Sequence, residues 1–151
     1  MTDGPKFAAS SCSAAQIAKH LVRCDNAFVP PLSSRTDIAE YAAKLRDRAF
    51  TFEAWQADVL VGLVGMYMDV AAGTAFISNV SVDPLHVGEG TGSRLLAEAL
   101  AFARRSGVVR VSLEVSRGAA GAIRLYARHG FVVARADAQA LGMQLDIQRN
   151  R

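Results

Sequence analysis

The stretch that most constrains this chain runs from Asn79-Val-Ser-Val-Asp-Pro84 through Gly88-Glu-Gly-Thr-Gly92 into Ser93-Arg-Leu-Leu96. A β-rich segment passes through three closely spaced glycines straight into an amphipathic helix. Glycine lets the backbone turn through positive φ and approach a ligand closely. A helix starting at that point offers unpaired N–H groups and a partial positive charge. Such a turn is built to hold an anion, most often a phosphate.

The rest of the chain supplies a mixed α/β framework around that turn. A short strand is predicted near Lys6 to Ala9. A helix follows over Ser13 to Cys24, with Ala14, Ile17, Ala18, Leu21 and Val22 as its apolar stripe. Phe28-Val-Pro-Pro31 must interrupt it, since two successive prolines cannot sit inside a helix. Ser34-Arg-Thr36 is predicted to open a second helix carrying Ile38, Tyr41, Ala42 and Leu45. Thr51 to Gln56 and Val59 to Asp69, joined at Ala57-Asp58, read as a hairpin, and Ala75 to Val82 as the next strand. Past the glycine turn, Leu95, Leu96, Ala99, Leu100 and Ala103 mark a helix that Gly107 ends. Strand, helix and strand are predicted at Val108 to Val115, Ala119 to Arg128 and Phe131 to Ala134, with a last strand at Leu141 to Ile147. The front half reads as antiparallel and the back half as β-α-β-α-β.

Composition sets the class. The 151 residues fit one domain, 1–151, and 51% hydrophobic with 21% charged residues is a globular balance. No run approaches the ~18 apolar residues of a membrane span. Cys12 and Cys24 have no CxxC spacing and are too few for a disulfide framework, so a cytoplasmic location is expected. The net charge of +3 is dispersed rather than concentrated, which argues against nucleic acid as a partner. His20, His86 and His129 show no ligand spacing, are expected at the surface, and with the cysteines point to no metal.

Three phosphate-binding turns compete for the glycine segment. A Walker-type loop requires Gly-Lys-Ser/Thr, whereas Gly92 is followed by Ser93 and Arg94. A dinucleotide fingerprint requires GxGxxG, and counting from Gly88 or Gly90 places Ser93 or Leu95 at the last glycine. The GxG turn of a coenzyme A site remains. The run Asn79 to Pro84, Gly88 to Gly92 and Ser93 to Leu96 resembles the coenzyme A motif of the GCN5-related N-acetyltransferase (GNAT) superfamily. A second block, Leu113-Glu-Val115, Ala122-Ile-Arg-Leu-Tyr126 and Gly130-Phe131, resembles that family's closing motif at matching spacing. The two blocks cover roughly residues 75 to 134.

The resemblance implies a central mixed sheet splayed at its fourth strand, helices on both faces, and transfer of an acetyl group from acetyl-CoA to an amine acceptor. It places the pantetheine arm beside Val80 and Val82, with a free N–H near Val82 to polarise the thioester. It assigns the pyrophosphate to the loop Val87, Gly88, Glu89, Gly90, Thr91, Gly92 and Ser93. Ala119 falls where the family usually carries Asn, and Val87 where it carries Arg or Gln. Tyr126 becomes the candidate general acid and Glu114 the candidate base, with Glu53 as a weaker alternative base. Arg124 and Arg128 are candidate contacts to the adenosine 3′-phosphate. The acceptor is expected to meet Phe28 to Pro31, Trp55, Met66 and Met68. No cysteine stands near either motif, which favours direct transfer. A homodimer is allowed for, and a non-catalytic acyl-CoA binding module of the same fold is the alternative reading.

Overall fold

The computed structural model describes residues 4–147. The elements follow the order β1 (Lys6–Ala9), α1 (Ala14–Cys24), α2 (Ile38–Arg48), β2 (Phe50–Gln56), β3 (Val59–Asp69), β4 (Thr74–Val82), α3 (Thr91–Arg105), β5 (Arg110–Ser116), α4 (Ala120–Arg128), β6 (Val132–Ala136) and β7 (Ala140–Asp146). The seven strands form one sheet in the order β1-β2-β3-β4-β5-β7-β6. Only β4 and β5 pair in parallel; every other pairing is antiparallel. The back half therefore differs from a simple β-α-β-α-β run, because β7 inserts between β5 and β6.

Local sequence explains the helix starts. Ser13 caps α1 in a capping box: its hydroxyl accepts from the Gln16 N–H at 3.1 Å, and the Gln16 side chain accepts from the Ser13 N–H at 2.8 Å. The second helix begins later than the Ser34 to Thr36 boundary predicted from sequence. Asp37 is its cap, accepting from the Glu40 N–H at 2.9 Å. Ser34 instead lies in a single 3₁₀ turn, Leu32–Ser34, and spends its hydroxyl on the Pro31 carbonyl at 2.6 Å.

Two apolar clusters cover the two faces of the sheet. On one, Ile17, Leu21, Ala42 and Leu45 of α1 and α2 pack on Leu60 and Leu63 of β3. On the other, Leu95, Leu96, Ala99 and Ala103 of α3 pack with Tyr126 of α4 on Val64, Met66, Ile77, Leu113 and Val115. Each fully buried leucine contributes about 1.5–3 kcal/mol. Two glycines of β3 set how near the helices come. A Cβ on Gly62 would stand 2.9 Å from Thr91 Cγ2 and 3.0 Å from Leu95 of α3, while one on Gly65 would stand 2.8 Å from Leu45 of α2 on the opposite face. The period-2 alternation of a strand produces this opposition, since 62 and 65 differ by an odd number. Helix α3, which carries the glycine turn at its start, is thus seated hard against the middle of the sheet. Among the described residues no helix is long and apolar enough to cross a membrane.

Gly62→Ala tests that seating. The added methyl meets Thr91, Leu95 and Ala54 at once, so we expect a loss of roughly 1–3 kcal/mol, the usual cost of overpacking a core. Thermal unfolding should show a melting temperature several degrees lower, and an unchanged value would mean that α3 does not approach β3 this closely.

Candidate functional site

The site originates in a defect of the sheet. Strands β4 and β5 pair only from Thr74↔Arg110 to Ile77↔Leu113 and then part. At the parting point the β3–β4 register slips: Met66 faces Ile77 and Gly65 faces Asn79, leaving Ser78 as the extra residue of a bulge. The bulge shifts the strand's alternation, so Ala75, Ile77 and then Val80 face the same cluster. Beyond it β4 remains bonded to β3 alone. The Asp83 N–H donates to the Val61 carbonyl at 2.8 Å. Alternation therefore turns Ser81 toward β3, and turns the backbone groups of Val80 and Val82 into the gap that β5 has left.

A cavity of about 450 Å³ fills this fork. Val80, Val82, Val87, Ala119 and Tyr126 line it together with Glu114. The two chemical candidates reach it from opposite sides of the sheet. Val111, Leu113 and Val115 of β5 and Tyr126 of α4 belong to the α3/α4 face, so the intervening Glu114 points to the α1/α2 face. On that second face the walls are Phe28, Val29 and Leu32 from the α1–α2 connection, with Arg35, Tyr41 and Phe76. Val29 Cγ1 comes within 3.3 Å of where a Gly118 Cβ would stand, so the connection spans the fork to the β5–α4 loop. Trp55, Met66 and Met68, expected from sequence to shape the acceptor site, lie elsewhere. Met66 is fully buried in the α3/α4 cluster, Met68 packs against that cluster, and Trp55 packs on the opposite one.

The glycine turn stands at one end of the fork. Gly88 and Gly90 have φ of 83° and 80°, and a Cβ on either would meet nothing within 4 Å, so the backbone lies open to an approaching group. Gly90 caps α3 without a side-chain hydrogen bond, in contrast to Ser13 on α1 and Asp37 on α2. The N–H groups of Thr91, Gly92 and Ser93 are left as the helix's unsatisfied donors. Glu89, which would repel a phosphate, is engaged by His86 Nδ1 at 3.2 Å. Val87 turns to the fork, while Glu89, Gly90 and Thr91 border a separate depression of about 630 Å³ shared with Phe7 and Arg94. Ser93 Oγ lies 2.8 Å from His129 Nε2, tying the start of α3 to the end of α4. Arg124 and Arg128 are exposed on α4. Open glycines and an uncapped helix start fit the pyrophosphate of a coenzyme.

The electrostatics separate the candidates. Burial pushes the Tyr126 phenol up to about 12, so it holds its proton through any ordinary pH. Its ring is fixed edge-on to Phe131, centroids 6.0 Å apart. Glu114 is exposed and ion-paired with Arg135 at 2.7 Å. Glu53 is fully buried, yet its carboxyl sits below the ordinary carboxylate range: desolvation pushes it up, and hydrogen bonds from Ser11, Thr51 and Cys12 outweigh that. It accepts from the N–H groups of Ser11 (2.9 Å) and Cys12 (3.2 Å), from the Ser11 and Thr51 hydroxyls, and from Trp55 Nε1 at 3.1 Å. Glu53 does not line the fork; it ties the β1–α1 turn to β2.

His20, expected at the surface, is fully buried. Its Nδ1 donates to the Leu60 carbonyl at 3.0 Å, and its Nε2 lies 2.9 Å from Ser81 Oγ, which also bonds the Asn79 side chain at 2.8 Å. Sequence reasoning missed this because position 20 reads as a polar interruption of the α1 stripe. Its i+3 and i+4 spacing from Ile17 and to Cys24 was the available signal. It also missed Arg35, Tyr41 and Ser78 in the fork. The Tyr41 hydroxyl lies 2.7 Å from Ser78 Oγ and donates to the Ser78 carbonyl at 3.0 Å, pinning the bulged residue.

A sheet opened between two parallel strands, with a phosphate-ready helix start at the opening and a buried phenol inside it, defines the fold class of the acyl-CoA N-acyltransferases. The sequence profile of the acetyltransferase (GNAT) family matches residues 15–131, and the chain belongs to that family. It is an N-acetyltransferase of the GNAT type. No curated protein matches it by sequence. Among solved structures, it is similar to the ribosomal-protein-S18-alanine N-acetyltransferase of Escherichia coli (23% identity, 97% of each chain, TM-score 0.76). It is also similar to the PaiA N-acetyltransferase of Thermoplasma acidophilum in complex with coenzyme A (14% identity, 94% of this chain and 99% of that one, TM-score 0.73). A Bacillus subtilis acetyltransferase in complex with CoA superimposes comparably (16% identity, 95% and 99%, TM-score 0.73). At these identities the likenesses establish the fold.

The buried histidine generates a pH prediction. Burial, with Arg23 nearby, lowers His20 from 6.5 to about 4, so between those values the unfolded chain binds a proton that the folded chain refuses. Stability should therefore fall as pH drops from 6.5 toward 4, by about 3 kcal/mol from this group. Urea unfolding at pH 7 and pH 4.5 measures the difference, and His20→Gln should flatten that part of the profile. An equally steep profile in the variant would assign the loss to other groups.

Proposed function

We propose that this chain transfers the acetyl group of acetyl-CoA to a primary amine by direct attack, with both substrates bound in the fork. The observation that carries the reading is the fork itself, with donor-side groups on one face of the sheet and acceptor-side groups on the other. The coenzyme complexes of fold relatives support acetyl-CoA as the cosubstrate. When bound, acetyl-CoA supplies an acetyl thioester. The open backbone of Gly88 to Gly90 and the N–H groups of Thr91, Gly92 and Ser93 bind the pyrophosphate. The inward-turned backbone of Val80 and Val82 pairs with the pantetheine arm as an added strand would, and the Val82 N–H stabilises the oxyanion that develops on the thioester carbonyl.

Two side chains handle protons. Glu114, on the acceptor face, takes the proton of the incoming ammonium directly or through a water, since only the neutral amine has a lone pair to attack. Tyr126, on the donor face, gives its proton to the departing sulfur and recovers one from solvent. The C–S bond breaks as the C–N bond forms, and the products are an amide and a free thiol. A phenol raised to about 12 keeps its proton at working pH and so stands ready as the donor, and the proton is handed over as the C–S bond breaks. Position 119 carries Ala at the uncapped start of α4, so the first turn there binds through backbone alone.

Two measurements test the reading. Acetyl-CoA should raise the melting temperature by mass action, and NADH should not; stabilisation by NADH alone would overturn it. Tyr126→Phe keeps the ring against Phe131 and removes only the donor proton. Thiol release should then show kcat lowered on the order of a hundredfold to ten-thousandfold, the usual worth of general acid–base catalysis, with the KM for acetyl-CoA little changed. Unchanged turnover would remove Tyr126 from the mechanism.

A further inference from the structure

The proposed function leaves the acceptor unnamed, and the acceptor face of the fork carries a charge pattern that bears on it. Of the residues lining the cavity, two bear charge: Glu114 and Arg35. Glu114 is exposed and shared with Arg135 at 2.7 Å, an arrangement worth little in solvent and readily exchanged for another cation. Arg35 is exposed. Among the described residues its side chain makes no ion pair or hydrogen bond, although carboxylates stand close in sequence. Asp25 accepts from the Ser33 N–H (2.8 Å) and hydroxyl (2.6 Å), and Asp37 caps α2.

Arg35 also stands close to the reacting region. It follows the Leu32–Ser34 turn, on the connection that bridges the fork, and it is near enough to Tyr41 to oppose part of the rise that burial imposes on that phenol. Tyr41 in turn is bonded to Ser78, the bulged residue where β4 and β5 part. A guanidinium presents planar paired donors suited to a carboxylate. Phe28, Val29, Leu32 and Phe76 supply apolar walls to the same cavity, which suits a nonpolar side chain on the acceptor.

We infer that the acceptor is a zwitterionic amine, an amino acid whose carboxylate is held by Arg35 while Glu114 receives its ammonium. The inference rests on the proposed function and adds the substrate class. Polyamines and amino sugars, which carry no carboxylate, would leave Arg35 facing the cavity unpaired and would gain nothing from it. Arg35 therefore favours the acid over analogues whose only charge is the ammonium.

The test compares three forms of one side chain. Coenzyme A release by the full-length protein is measured with leucine and phenylalanine, with their amides, and with isoamylamine and phenethylamine. The free acids should be preferred over the amides and the plain amines about tenfold to a hundredfold in kcat/KM, the range expected for hydrogen bonds to a charged group. Arg35→Gln should bring the acid-to-amide ratio close to one, mainly through KM for the acid. Thermal shift with acetyl-CoA reports folding and cosubstrate binding for both proteins. If acetyl-CoA produces no shift, the proposed function fails and the inference with it. If acetyl-CoA binds and the acids are used no better than amides or amines, or are not used at all, the inference alone is overturned. A preference for acids that survives Arg35→Gln overturns the role of Arg35.

Discussion

Everything in this molecule that bears on function follows from hydrogen bonds that β4 and β5 do not make. A parallel pair normally continues for the length of its strands, because each unpaired N–H or C=O in a buried sheet is costly. Here the pairing stops at Ile77↔Leu113, and the bulge at Ser78 turns the remainder of β4 away. The strands stay in place because each has another neighbour: β4 remains on β3 through Val82, and β5 pairs with β7 along its full length. Antiparallel insertion of β7 beside β5 is thus more than a topological detail. It lets β5 diverge without unravelling, so that a gap persists in the middle of a packed sheet.

The gap joins two faces with different chemistry. The α3/α4 face presents an uncapped helix start, open glycines and a buried phenol, all suited to a phosphorylated thioester. The α1/α2 face presents a carboxylate, a guanidinium and apolar walls, suited to a small acceptor. In the mechanism we propose, their separation by the sheet puts the acid and the base on different sides of the reacting centre. Glu53 and His20 are buried polar groups that do not themselves line the fork. The first ties the β1–α1 turn to β2, and the second fixes α1 to Leu60 of β3 and Ser81 of β4. Such fully partnered polar contacts hold the α1/α2 layer in register with the fork.

Much of this was legible in the sequence, and the rest was hidden for definite reasons. The glycines at 88, 90 and 92 before a Leu95-Leu96-Ala99 stripe are local signals, so the turn and α3 were readable directly. The hairpin at Ala57-Asp58 was readable for the same reason. The place of β7 between β5 and β6 was not, since strand order depends on contacts between distant segments. Asp37 was passed over for Ser34 and Thr36, which are equally eligible as caps by residue type; the Pro31 carbonyl, which draws off the Ser34 hydroxyl, has no signature in the sequence. His20 looked like a surface residue because its partners, Leu60 and Ser81, lie 40 and 61 residues away. Met66 and Met68 were misplaced because the alternation of β3 cannot say which face of the sheet an acceptor meets. Arg35 carries no local signature; its position on the fork became visible only once the α1–α2 connection was seen to reach Gly118.

The central claim is that the backbone of Val80 and Val82 is held open for the thioester arm. Amide hydrogen exchange, resolved by residue with and without saturating acetyl-CoA, tests it directly. In the free protein the Val80 and Val82 amides, turned into the gap, should exchange faster than those of Ser81 and Asp83, which face β3. Saturation with acetyl-CoA should slow Val80 and Val82 selectively. Unchanged exchange at both positions in the saturated protein would contradict the account and place the coenzyme outside the fork.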